Sequence, residues 1–284
     1  MSTDLNAEFN NILQNGSSLV FPLSNDLDVG SKLLINTGLQ TPSQLHDSIL
    51  TMDKFSNSLP VAIASIGSSK ITLLVGSAIT VGADATIPDN IILWFVGPGK
   101  LFVNSGKVLT INSPSQVLAH TQQQVFDGTG TVSFTNGGIV SPGWWGFSSG
   151  GTAATNADAY NACTASLSAT GGAIIIPPTG TAHQVDDTLT HPAKPMSVIG
   201  AHPELSIIES TATASLKHGL TFTRSHHVRN LTIKTSASLA SNYDMYAVRM
   251  NLDGVTVSGG NQAVKWESLK VRGFNNRSEE RRVG

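Results

Sequence analysis

From Pro60 onward the chain alternates short apolar runs with Gly, Pro, Asn and Asp, the punctuation of strands rather than of helices. The first runs are Ile71 to Val75, Ala78 to Val81, Ile91 to Val96, Leu101 to Val103, Val108 to Ile111 and Thr131 to Phe134. They lie too close together for intervening helices. Leu73, Leu93 and Leu109 recur at spacings of 20 and 16 residues, which predicts strands stacked turn upon turn as in a solenoid. A second series comprises Ala173 to Ile176, Met196 to Ile199, Leu205 to Ile208, Leu220 to Phe222, Asn230 to Lys234, Ala247 to Met250, Gly254 to Val257, Ala263 to Trp266 and Leu269 to Val271. Within Asn230 to Lys234 and Gly254 to Ser258 aliphatic positions alternate with hydroxyl or charged ones, so one face turns to a core and the other to solvent.

Two segments carry helical periodicity instead. Leu5, Phe9, Ile12 and Leu13 fall at i, i+4, i+7 and i+8, predicting a helix over 3–15 with Thr3 or Asp4 as cap and Gly16 as stop. Thr155 to Ala169 predicts a second helix: Thr155 and Asp158 form a capping-box variant, Tyr160, Cys163 and Leu167 make an apolar stripe, and Gly171-Gly172 ends it. Its expected task is to cover open strand edges. Cys163 then reads as a buried filler, being on the stripe and without a basic neighbour.

The segment from Pro142-Gly-Trp-Trp-Gly-Phe147 through this helix to Gly171-Gly172, Ala173-Ile-Ile-Ile-Pro-Pro178 and Met196-Ser-Val-Ile-Gly200 resembles the start of the pectate-lyase-like right-handed parallel β-helix superfamily. Two departures stand out: Thr179 precedes Gly180 in the corner, and Ser148 to Thr155 replaces the family's acidic loop. Nearer the N-terminus, Leu5 to Ile12, Leu19 to Asp28 and Leu34 to Gly38 look like the opening of bacteriophage tail-fibre and tailspike proteins, and Pro42 to Leu50 suits the small helix placed next there. The resemblance implies an all-β fold: a right-handed parallel β-helix with a short capping helix and a small N-terminal α/extended segment. By the measure of that superfamily, the 24 residues from Leu231 to Val255 make a full rung.

The expected organisation is therefore an assembly segment over 1–59, a strand-rich connector over 60–140 and the start of the β-helix over 141–276. Residues 277–284, Arg-Ser-Glu-Glu-Arg-Arg-Val-Gly, match codon for codon a translated frame of a common sequencing adapter and read as an artefact. On that reading the natural protein continues beyond Asn276, and an active site built from later rungs lies outside this chain.

Composition narrows the function. Only 13% of the 284 residues are charged and the net charge is −2, with no Lys/Arg cluster in the body, which argues against a nucleic-acid partner. The single Cys163 excludes an internal disulfide, and no Cys/His spacing suggests a metal. Neither a signal peptide nor an apolar run long enough to insert in a membrane is visible.

Candidate chemistry is sparse: no nucleophile elbow, phosphate loop or dinucleotide fingerprint occurs, so no cofactor is expected. Asp253 and Glu267 open similar strands at an offset of 14 residues, and stacked strands would bring two such carboxylates to about 5 Å, the separation of a retaining glycosidase pair. Fourteen residues is short for a three-sided rung, and acids before strands are ordinary turn residues, so the structural reading stays open. Lys265, Lys270 and Arg272 are possible bases of a lyase or simply solvated strand ends. His226-His227 reads as a surface pair in a turn, and Asp186-Asp187 as a corner. Trp144 and Trp145 could stack on sugar rings or fill a packed hinge. The resemblance implies a virion-tail protein, homotrimeric, joined to baseplate or tail proteins and binding host surface polysaccharide, with depolymerase activity an open question. The alternatives are a bacterial polysaccharide lyase or glycoside hydrolase and a non-catalytic virion stalk.

Overall fold

The structure is a computed structural model, and it describes residues 27–29, 32–34, 48–192, 194–212, 219–222, 226–235, 246–250, 264–272 and 276–279. The expected helix over 3–15 and the strand over Gly254 to Val257 lie outside the described residues. The chain divides into two units, Met1–Leu45 and His46–Gly284. In the first, β1 (Leu27–Val29) and β2 (Lys32–Leu34) form an antiparallel pair.

The second unit is mostly β, and its strands pair in parallel. It opens with β3 (Ser48–Thr51), a 3-10 turn (Met52–Phe55) and helix α1 (Leu59–Ile66). The small helix expected up to Leu50 is thus a strand at its end, and α1 stands where the sequence pattern from Pro60 onward suggests strands. Pro60 sits in the first turn of α1, where its missing N–H costs nothing.

The chain then makes three similar turns of three strands: β4 (Ile71–Val75), β5 (Ala78–Val81) and β6 (Ala85–Ile87); β7 (Ile91–Phe95), β8 (Lys100–Val103) and β9 (Val108–Ile111); β10 (Val117–Leu118), β11 (Phe126–Gly128) and β12 (Thr131–Phe134). Each strand of a turn joins a different sheet, giving the orders β10-β7-β4-β3, β11-β8-β5 and β12-β9-β6. The pleat sends Leu73, Leu93 and Val117, Ile79 and Leu101, and Leu109 and Val132 into one core. Leu73 and Leu93 pair as the 20-residue spacing predicted. Leu109 does not follow them: it pairs with Ala85 and Val132 in another sheet, and Leu93 is followed by Val117. Aliphatic residues line every face, so spacing alone could not tell a neighbouring face from the next turn.

After β13 (Gly138–Val140) come a 3-10 turn (Pro142–Trp145) and helix α2 (Ala153–Ser166). The helix begins earlier and ends earlier than the sequence suggested: Thr152 is the N-cap, its side chain accepting from the Thr155 N–H at 3.3 Å, and Leu167 leaves in extended conformation. Gly171 therefore does not stop the helix. It has φ +81°, and a Cβ there would stand 1.7 Å from the Pro195 carbonyl oxygen, so it allows two chain segments to touch.

The strands then resume as β14 (Gly172–Ile176), β15 (His183–Val185), β16 (Leu189–Thr190), β17 (Met196–Gly200), β18 (Ile207–Ser210), β19 (Leu220–Phe222), β20 (His226–Thr235), β21 (Tyr246–Met250), β22 (Val264–Arg272) and β23 (Asn276–Glu279). β20 is long enough to serve two faces: its first half pairs with β17 and its second with β18. Asn230, at φ 56°, marks the bend, and Ser268, at φ 48°, repeats it on β22 directly alongside. Leu231 pairs with Leu269, 38 residues on; Val255, expected a full rung from Leu231, lies outside the described residues. β23 pairs with β21, so residues 277–279 of the adapter-like segment continue a parallel ladder. Among the described residues no helix is long and apolar enough to cross a membrane.

Candidate functional site

The parallel register of β17, β20 and β22 converts strand alternation into columns. Val198, Val228 and their neighbours point inward, so Ser197, His227 and Lys265 line up outside, and beside them Ile199, Arg229 and Glu267. In this outer patch Glu267 is the hub. Its Oε2 meets His227 Nε2 at 2.9 Å and its Oε1 meets Lys265 Nζ at 2.6 Å. The Lys265 ammonium first, and His227 second, hold the Glu267 carboxyl below the usual carboxylate range. Arg229 stands between Ile199 and Glu267 in register, and its Nε, shut off from solvent, meets no hydrogen-bond partner among the described residues.

Further along the same strands the charges are paired turn to turn. Lys234 Nζ reaches Glu209 at 3.4 Å, in register with it, and Lys270 reaches Glu204. Both pairs tie one turn of the stack to a later one.

A carboxylate held by the Lys265 ammonium and a hydrogen bond to His227 is a poor general acid but a good orienting group: it fixes the His227 ring and leaves that imidazole's other nitrogen for a ligand. Ser197 adds a hydroxyl in the His227 column, and Arg229 adds a planar cation. Together these groups suit a hydroxylated, anionic ligand. Among the described residues no cluster of His, Cys, Asp and Glu has the makings of a metal site.

The sequence candidates fare differently. Glu267 and Lys265 are brought together, while Asp253 lies outside the described residues and Glu267 has Arg229 as its described ladder neighbour. Lys270 is engaged by Glu204, and Arg272 lies at the end of β22. Trp144 is buried, with its ring 6.5 Å from that of Trp145, and therefore offers no face to a sugar. Trp145 is half-buried with its ring 5.0 Å from Phe126. Asp186 and Asp187 occupy the corner between β15 and β16.

His226-His227 is not a turn. Both residues open β20, where His226 faces inward, stacked on Phe222 at 4.0 Å and accepting from Trp266 Nε1 at 3.1 Å. Sequence reasoning missed His227 and Arg229: extending the Asn230 to Lys234 alternation backwards puts both on the inner side with Leu231 and Ile233, and the bend at Asn230, with φ 56°, reverses the faces. It also missed the buried histidines. His191 is stacked on Phe222 at 3.8 Å and shares a 2.8 Å hydrogen bond with the Tyr160 hydroxyl; burial pushes its pKa down to about 3. His183 stacks on Phe147 at 4.5 Å and is shifted the same way by burial. Burial pushes the Cys163 thiol up, the opposite of what a nucleophile needs.

No family model, no curated protein and no solved structure matches the chain.

Proposed function

We propose that the chain belongs to a tail-fibre- or tailspike-like protein whose right-handed parallel β-helix binds host surface polysaccharide on its outer flanks. The observation that carries this reading is the sheet order: in the first stack successive turns visit the same three parallel sheets, and in the second β17, β20 and β22 pair in parallel, which sets outward side chains in ranks. A polymer of repeating sugars meets such ranks at regular intervals. The polar patch of Ser197, His227, Arg229, Lys265 and Glu267 supplies donors and a cation for hydroxyls and carboxylates. The resemblance of residues 141 to 200 to the pectate-lyase-like superfamily supports the same fold and a sugar partner.

A second reading is catalytic, as in a bacterial polysaccharide lyase or glycoside hydrolase, and the patch favours elimination over hydrolysis. Glu267 is held ionised by the Lys265 ammonium and the His227 hydrogen bond and lacks the proton a glycosidase acid must donate. Elimination needs a base and a neutralised uronate carboxylate, for which His227 and Arg229 stand ready.

The test is titration calorimetry against acidic and neutral capsular polysaccharides, together with absorbance of unsaturated uronate. Binding of acidic polymers should weaken about tenfold in Arg229→Ala, a loss of about 1.4 kcal/mol. Failure of every polysaccharide to bind, or binding indifferent to Arg229→Ala, would reject the patch as the site.

A further inference from the structure

Within the polar patch on β17, β20 and β22, one side chain can reverse its hydrogen-bonding sense. Ser197 carries a hydroxyl, which donates or accepts as required, while Arg229 and Lys265 carry donors only. Glu267 is an acceptor only, because the Lys265 ammonium at 2.6 Å holds it as a carboxylate. That carboxylate meets His227 Nε2 at 2.9 Å, so Nε2 donates, and a neutral His227 carries its one N–H there. Its Nδ1 is then a lone pair. Nδ1 meets no hydrogen-bond partner among the described residues, and the His227 side chain is 27% exposed, so a ligand can reach the ring. The neighbouring His226 is fixed the other way round: buried, it accepts at Nε2 from Trp266 Nε1 at 3.1 Å, so its N–H when neutral is on Nδ1.

We propose that His227 sets which chemical group the patch accepts, a sugar hydroxyl when the imidazole is neutral and a carboxylate when it is protonated. The inference rests on the polysaccharide reading and assigns the atom that discriminates within it. A hydroxyl can donate to the Nδ1 lone pair, whereas a carboxylate has only lone pairs to set against it. Protonation turns Nδ1 into a charged donor, and Glu267 stays in place to balance the imidazolium. The charged groups around His227 among the described residues are Lys265 and Glu267 from β22 and Arg229 from its own strand, while β17 brings Ser197 and Ile199, neither of them titratable. Lys265 and Arg229 against Glu267 leave one positive charge in excess, and a protonated His227 makes it two. An imidazole changes charge between about pH 8 and about pH 5, where uronate carboxylates stay ionised, so the change falls on the protein side. Affinity for an acidic polymer therefore rises as the pH falls through that range, and affinity for a neutral polymer falls.

Calorimetric titration of the full chain with hyaluronate as the acidic probe and dextran as the neutral one, between about pH 8 and about pH 5, provides the test, with far-UV circular dichroism checking the fold at each pH. Hyaluronate should bind about tenfold more tightly at the acid end, and dextran more weakly. His227→Gln, which keeps an amide but cannot titrate, should flatten the hyaluronate profile, whereas Arg229→Ala should lower affinity at every pH and keep the slope. Nitrogen-15 NMR of the histidine rings, with His227 assigned by its loss in His227→Gln, reads the tautomer without any ligand: at about pH 8 the proton should be on Nε2. A proton on Nδ1 overturns the proposal. So does a hyaluronate profile that survives His227→Gln or is matched by dextran, because the pH dependence would then belong to the whole chain's charge. If neither these polymers nor any capsular polysaccharide binds at any pH, the polysaccharide reading itself falls, and this inference with it.

Discussion

His191 shows what a single buried base does to this fold. Tyr160 of α2, Phe222 of β19 and His226 of β20 pack against it, and burial disfavours an added proton there. Its pKa is lowered from 6.5 to about 3, so above the unfolded value both states are neutral and the residue is indifferent to pH. Below it, the unfolded chain takes up a proton that the folded one refuses, and stability falls until the pH nears the folded value. Between about pH 7 and about pH 4 this costs on the order of 3 kcal/mol. His183 adds loss in the same direction. Asp127, held below the usual carboxylate range by the Lys100 ammonium, loses its stabilising contribution only as the pH falls through the unfolded carboxylate value, at the acid end of the His191 window. Urea midpoints across that range should drop in the unchanged protein and drop visibly less in His191→Gln; equal slopes would mean that His191 is not the acid-sensitive group. None of this was legible in the sequence, because a histidine satisfies an inward or an outward strand position equally well. Glu267 and Lys265 were legible as chemistry, but their partner His227 was not, since only the register of β20 against β22 turns it toward them.

At the scale of the element, α2 works through polar side chains. Asn156 is fully buried, accepts from the Ser148 N–H at 2.9 Å and donates to the Ser148 and Gln184 carbonyls, both at 2.9 Å. Thr164 donates to the Thr190 carbonyl at 3.1 Å, and Asn161 accepts from the Thr190 N–H at 3.1 Å. Gln184 and Thr190 lie on β15 and β16, each paired on one side only, so α2 completes two strand edges with amides and hydroxyls. Lys194 in turn donates to the carbonyls of Ala165 and Leu167 at the helix's C-terminal end. Asn156→Leu should therefore cost about 2–4 kcal/mol, because it strands a buried N–H and a strand-edge carbonyl at once. Chemical denaturation would measure this, and a loss below about 1 kcal/mol would show that the edge needs no such cap. The apolar stripe of Tyr160, Cys163 and Leu167 was legible and is buried as expected. The ends were not, since Asn156 and Thr164 face inward and dilute the pattern that marks a helix face.

For the whole second unit, one hydrophobic cluster runs from Met52 to Ile233, although the chain interrupts its strand stacking with the 3-10 turn and α2. A linear stack of turns touches only its neighbours, so cooperativity depends on what crosses that interruption. Aromatic rings cross it. Phe126 of β11 lies 5.0 Å from Trp145, and Phe147, two residues on, packs against Tyr160 of α2 at 6.1 Å and His183 of β15 at 4.5 Å. The parallel, strand-dominated class of the fold was legible from the run lengths and the Gly/Pro punctuation. The ladder offsets were not: paired residues stand 20 apart at Leu73–Leu93 and 38 apart at Leu231–Leu269, because corner length varies while strand pairing does not. If the aromatic crossing couples the two stacks, unfolding followed by far-UV circular dichroism and by tryptophan fluorescence should coincide in the unchanged chain. Trp94 reports on the first stack and Trp266 on the second, so fluorescence sees both. Trp145→Ala removes the ring that meets Phe126 and should cost about 2–4 kcal/mol while splitting the single transition into two. A single transition that merely moves to lower denaturant would mean that the backbone ladders and the aliphatic core carry the coupling without the rings.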